Sequence, residues 1–320
     1  MQEALHEMIE RDMQEELIMY KKNFDFIVDK AMAAKKPSRV IIAGADCENI
    51  LLGAFQAQQR GFVELTLAGD EKKITGMLKE LGLVSAKYKM EPVPEGENVV
   101  QHCINVIRAG GADVLMRGNT QTRDFLLPIM DKKNGLMTDK LLTQVTMVKF
   151  AEYDRVLAIS DVTVMPTPDQ NQRKQVISNM AGLLTTLGYE KPNIALLALT
   201  EQPAFHMKDT IEADNIVREH AERPVGNCNL VGPISYDLIV SKEAARLKGY
   251  DCPLCGEFDG IVVPDLLTGN VLLKALQMNG HASSCGVIVG ASIPIAITSR
   301  SDTKEQAFLS LAACTALHQG

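Results

Sequence analysis

Short β-branched runs alternate along this chain with longer stretches whose apolar residues recur every three or four positions. Residues 39–44, 63–68, 112–116, 153–159, 193–199 and 260–264 read as strands. Residues 48–60, 71–81, 99–109, 171–187, 237–248 and about 269–278 read as helices. Strands alternating with helices predict βαβ units, and hence largely parallel sheets with helices on both faces. Ligands in such sheets gather at the carboxyl ends of strands. Polar clusters follow several predicted strands: Asp46, Arg117-Gly-Asn-Thr120, Ser160-Asp161, Pro264-Asp265 and Ser299-Arg300.

The first twenty residues follow a different rule. Leu5, Met8, Ile9, Met13, Leu17 and Tyr20 fall at helical spacing with acids opposite, which predicts an amphipathic helix ahead of the first βα unit. It is expected to pack on its own domain, on a partner subunit, or as a docking helix in a larger assembly.

Near the other end, an apolar run at Val287–Val289 and 293–297 stops at Ser299-Arg-Ser-Asp-Thr303. A helical pattern follows through Ala307, Phe308, Leu311, Ala312 and Thr315. One strand is thus expected to deliver an Arg, an Asp and three hydroxyls to a helix N-terminus, whose free N–H groups and dipole favour an anion. Capping explains part of this: Thr303-Lys-Glu-Gln306 is a capping box, and Asp302 or Ser301 would serve equally as N-cap. It does not explain Arg300, a cation beside the positive end of a dipole.

At 320 residues the chain is long for one core, so two domains are expected. The 46% apolar and 23% charged fractions are those of a soluble globular protein. A net charge of −7 and the lack of a Lys/Arg tract argue against nucleic acid as a partner. No apolar stretch reaches the ~20 residues that span a bilayer. Acids near the N-terminus do not fit a signal peptide, and the seven scattered cysteines suggest reduced thiols and a cytoplasmic location.

Several signatures are missing: G-x-G-x-x-G after the first strand, the Walker pattern, H-E-x-x-H and G-x-S-x-G. Cys252-Pro-Leu-Cys255 lacks the second pair that a zinc site requires and reads as a loop with two thiols; no metal is expected. Arg117-Gly-Asn-Thr-Gln-Thr122 suits phosphate contact or a capped βα loop. Pro264-Asp-Leu-Leu-Thr-Gly-Asn270 suits a nucleotide portion of a cofactor or a capped turn.

Four ordered motifs resemble the phosphate acetyltransferase and phosphate butyryltransferase family. They are Gly232-Pro-Ile-Ser-Tyr-Asp237, Val263-Pro-Asp-Leu-Leu-Thr-Gly-Asn270, Gly286-Val-Ile-Val-Gly-Ala-Ser-Ile-Pro294 and Thr298-Ser-Arg-Ser-Asp302. Met116-Arg-Gly-Asn-Thr-Gln-Thr-Arg-Asp124 is similar to the phosphate-side loop of the butyryl branch, with Arg117 where that branch often has Lys. The resemblance runs from about residue 22 to 318. Val231 departs from it, standing where relatives generally carry an acid, as does the Cys252–Cys255 insertion.

The resemblance implies two α/β domains of the isocitrate/isopropylmalate dehydrogenase-like kind with the active site in the cleft between them. Their expected extents are 22–136 with 286–320, and an inserted 137–285, with 1–21 as an extension. It implies reversible acyl transfer between CoA and phosphate by direct thiolate attack, most closely the butyryl reaction, with the acetyl reaction as alternative. CoA is then a substrate and no tightly bound cofactor is expected. Ser299, Arg300 and Asp302 are the implied catalytic residues, and Arg117, Thr120, Thr122 and Arg300 the phosphate-binding ones. Thr268, Gly269, Asn270, Gly290 and Ala291 are assigned to the CoA side. In the acetyl branch the base lies near the position of Glu305-Gln306; Asp302 follows the butyryl pattern. A carboxylate beside Arg300 is expected to have a lowered pKa, which makes a weak base. A homo-oligomer is the family expectation. The alternatives are a metal-dependent dehydrogenase, an acyltransferase using acyl carrier protein, and a non-catalytic CoA-binding scaffold of the same fold.

Overall fold

A computed structural model describes residues 23–299 and 302–319 of the chain. The N-terminal helix expectation, Arg300 and Ser301 lie outside the described residues. The order is α1 (Asp25–Met32), β1 (Ser38–Ala43), α2 (Glu48–Gln59), β2 (Val63–Gly69), α3 (Glu71–Glu80), β3 (Lys89–Pro92), α4 (Val99–Arg108), β4 (Val114–Arg117) and α5 (Thr122–Ile129). Then come β5 (Thr143–Lys149), β6 (Leu157–Ser160), α6 (Gln170–Thr186), β7 (Asn193–Leu197), α7 (Lys208–Glu222), β8 (Asn229–Ile234), α8 (Tyr236–Val240) and α9 (Lys242–Lys248). The chain continues through β9 (Gly260–Val262), α10 (Leu266–Met278), β10 (Ser283–Val289), β11 (Ile295–Ala296) and α11 (Lys304–His318).

The described strands form one sheet in the order β3-β2-β1-β4-β11-β10-β5-β6-β9-β7-β8. The first five run parallel to one another, and the last four run parallel in the opposite sense. Antiparallel pairing of β10 with β11 and β5, and of β5 with β6, joins the two blocks. The sheet is thus largely parallel, as expected; the antiparallel centre is what the sequence pattern did not predict. It also divides the apolar run near the C-terminus, which the sequence reading treated as one strand. Gly290, with φ of +92°, turns the chain back after β10, and only β11 points at the site.

Val145, Met147, Cys285 and Val287 put one face of the central pair into the main core, beside Val176, Met180, Leu311 and Ala312 of α6 and α11. That core also holds β1 and β2 residues at one end and Ile194 and Leu196 of β7 at the other. α11 is accordingly buried from Gln306 to Ala316. The other face of the central pair carries Gln144, Thr146 and Ser284 between the apolar Val148 and Ile288, which join two other clusters. None of the described helices is long and apolar enough to cross a membrane.

Candidate active site

Register decides where the strand ends meet. Ile297 N–H donates to Gly286 O (3.1 Å), Gly286 pairs with Thr146, and Thr146 pairs with Ile159. The opposed blocks therefore finish β11 and β6 on nearly the same line, on either side of β10 and β5. Over the polar residues of that pair lies a cavity of about 130 Å³. Arg117, Thr298, Ser299 and Asp302 line it from the first block. Asn270, Lys274 and Gln277 of α10 line it from the second, and Gln144, Thr146 and Ser284 from the floor.

Arg117 is buried, and its guanidinium is a strut. Nε and Nη2 donate to Thr120 O (3.1 and 2.6 Å) and Nη1 to Thr298 O (3.3 Å), tying the end of β4 to the end of β11. Thr122 lines the cavity, whereas Thr120 does not; its buried Oγ1 has no hydrogen-bond partner among the described residues.

Thr303, not Asp302 or Ser301, is the N-cap of α11. Its Oγ1 accepts from Gln306 N–H and the Gln306 side chain accepts from Thr303 N–H, completing the capping box. Asp302 is free for another role: its Oδ2 accepts from Ser299 N–H at 2.7 Å. Burial pushes the Asp302 carboxyl above its usual range, opposed by the Ser299 hydrogen bond and the charges of Lys274 and Arg117. The expectation of a lowered value is therefore corrected: loss of hydration outweighs the described cations. Glu305 is exposed, while Gln306 is buried.

The CoA-side candidates separate. Asn270 borders the small cavity. Thr268 borders a wider one of about 940 Å³, lined also by Leu197, Tyr236 and Pro264 at the ends of β7, β8 and β9. Gly269 packs between them: a Cβ there would sit 2.5 Å from Asp161 O, so the residue serves close helix approach. Asp265 caps this helix by accepting from Thr268 N–H (2.8 Å), as the capped-turn reading expected. Gly290 and Ala291 line a third cavity with Asp139, Lys140 and Asn179, which neither Ser299 nor Asp302 borders. The two thiols of Cys252 and Cys255 are free.

Lys274, Gln277, Gln144, Thr146 and Ser284 were missed by the sequence reading. Asn270, Lys274 and Gln277 stand at i, i+4 and i+7, a helical face that could have been found from Asn270. Gln144 and Thr146 alternate with Val145 and Met147, the period of a strand with one polar face.

Residues 95–316 match the family described as Phosphate acetyl/butaryl transferase. The chain is 27% identical to the phosphate butyryltransferase of Clostridium acetobutylicum over 91% of its own length and 96% of the relative's. It is 28% identical to the phosphate acetyltransferase of Thermotoga maritima, over 88% and 95% of the two chains. Its fold is similar to the branched-chain phosphotransacylase from Enterococcus faecalis V583, with a TM-score of 0.76 at 26% identity, covering 88% of this chain and all of that one. The chain belongs to this family and is an acyltransferase.

Proposed function

We propose that this acyltransferase exchanges a short acyl group between CoA and inorganic phosphate in the small cavity, with butyryl the first choice of acyl group and acetyl the alternative. The observation that carries the reading is the meeting of Ser299, Asp302, Arg117 and Lys274 around one polar cavity at the carboxyl ends of β4 and β11. Arg300, between Ser299 and Asp302 in sequence, supplies the phosphate-binding guanidinium. The two opposed blocks, divided as 22–136 with 286–320 and as 137–285, act as dehydrogenase-like halves around the cleft.

In the direction of acyl-CoA synthesis, Asp302 takes the proton of the CoA thiol. The thiolate sulfur attacks the acyl carbonyl carbon, and the carbonyl electrons move onto oxygen. Collapse of that adduct re-forms the carbonyl and breaks the bond to the phosphoryl oxygen, releasing phosphate. Ser299 donates to the developing oxyanion, and Arg300 holds the departing charge. A raised Asp302 pKa suits this role better than a carboxylate locked in an ion pair. Phosphate attack on acyl-CoA runs the same steps backwards. CoA enters past Asn270 and Thr268, its nucleotide lying along the wider cavity; Gly269, Gly290 and Ala291 are left out of this site.

The test is phosphate-dependent release of CoA from acetyl-, propionyl- and butyryl-CoA side by side. Butyryl preference supports the full reading, and acetyl preference replaces the acyl assignment. Release that does not depend on phosphate would overturn the reaction.

A further inference from the structure

Ser284 stands on the cavity floor and is 2% exposed. Two side-chain amides converge on its Oγ: Gln277 Nε2 at 2.9 Å and Gln306 Nε2 at 2.8 Å. Neither amide can be turned round. Gln306 Oε1 accepts from the backbone N–H of Thr303 (2.7 Å), and Gln277 Oε1 accepts from Lys274 Nζ (3.2 Å); both partners are donors only. Each amide therefore presents its NH₂ to Ser284.

A serine oxygen has two acceptor sites and one hydrogen to give. Both acceptor sites are taken, and no described residue accepts the hydrogen. The donors behind it are an ammonium on one side and the N-terminus of α11 on the other, and such chains polarise each successive hydrogen bond in the same sense. The result is a buried hydroxyl strengthened as a donor, on the floor of the polar cavity that Lys274 and Asp302 also line.

We propose that Ser284 donates this hydrogen bond to an oxygen of the phosphate or phosphoryl group, and that Gln277 and Gln306 are positioning residues that hold it in donor orientation. The inference rests on the phosphate acyltransferase reading for its ligand. It adds a phosphate contact from β10, separate from Ser299 and Asp302.

The experiment measures Ser284→Ala and Ser284→Thr beside the unmodified protein in two assays. The first is phosphate dependence of CoA release; the second is the rise in melting temperature with inorganic phosphate alone, which needs no turnover. Ser284→Ala is expected to need roughly 10- to 100-fold more phosphate in both, the range for a hydrogen bond to a charged group. Its KM for acyl-CoA should hold, and Thr, which keeps the hydroxyl, should restore most of the loss. Gln277→Glu turns a donor into an acceptor and draws the serine hydrogen away. It should weaken phosphate more in the native background than in Ser284→Ala, and the difference between the two backgrounds removes the effect of the added charge.

Unchanged phosphate dependence in Ser284→Ala would overturn the proposal, as would equal losses for phosphate and acyl-CoA with a lowered melting temperature. If the unmodified protein shows no phosphate-dependent release, but Ser284→Ala loses its stabilisation by phosphate, the reaction is wrong and the Ser284 contact stands.

Discussion

Asp302 is held between stability and reactivity. Its folded pKa is raised, chiefly by burial, so the folded protein keeps this proton at pH values where the unfolded chain has released it. Stability from this group is then fullest below the ordinary carboxylate pKa of ~3.9 and is lost as pH rises through the folded value. Asp302→Asn should remove that cost while keeping an oxygen for Ser299 N–H. The expected outcome is a higher urea midpoint at neutral pH together with kcat lowered about 10²- to 10⁴-fold, the range for a lost general base. A lowered midpoint with intact kcat would assign the carboxylate to structure. The base must be unprotonated, so the acid limb of the rate profile should lie above the ordinary carboxylate range. Lys274→Met removes a charge that holds the pKa down and should move that limb to still higher pH. Arg300→Ala should cut phosphate-dependent CoA release by about 10²-fold or more with little change in melting temperature.

At the scale of elements, α11 is both core and scaffold. Its inner turns fill the main core, and its first turn fixes the stretch that carries Ser299 and Asp302. Thr303→Ala should cost ~1 kcal/mol by loss of the cap. It should also lower kcat more than that change in stability alone explains, which urea unfolding and steady-state kinetics at one temperature would separate. This capping box was legible in the sequence because its geometry is local. Much of the alternation of helices and strands in the outer blocks was legible for the same reason, though β3, α5, α7 and β8 were not read. The predicted helix over 237–248 is in fact two, α8 and α9, meeting at Ser241, whose Oγ caps the second by accepting from Ala244 N–H (3.1 Å). The alternation of β5 marks a strand, but its polar residues are buried by distant partners, and that burial leaves no mark in the run itself.

At the scale of the whole molecule, one sheet and one core cluster cross from the first block into the second. Denaturant unfolding followed by near-UV and far-UV signals should therefore give one coincident transition; two separated transitions would show that the blocks are stable independently. The chain's own pattern determined the outer βα architecture, the capped start of α11 and the family motifs, because periodicity and turn chemistry act between residues a few positions apart. Tertiary structure alone decided that β10 and β5 run against their neighbours, so that the ends of the two blocks meet. It placed Lys274, Gln277 and Ser284 opposite Asp302, sent Gly290 and Ala291 to another cavity, and turned Arg117 into a strut between strands. Each of these depends on pairing between segments far apart in the chain. The raised pKa of Asp302 has the same origin, since a carboxylate loses its water only when distant elements close over it.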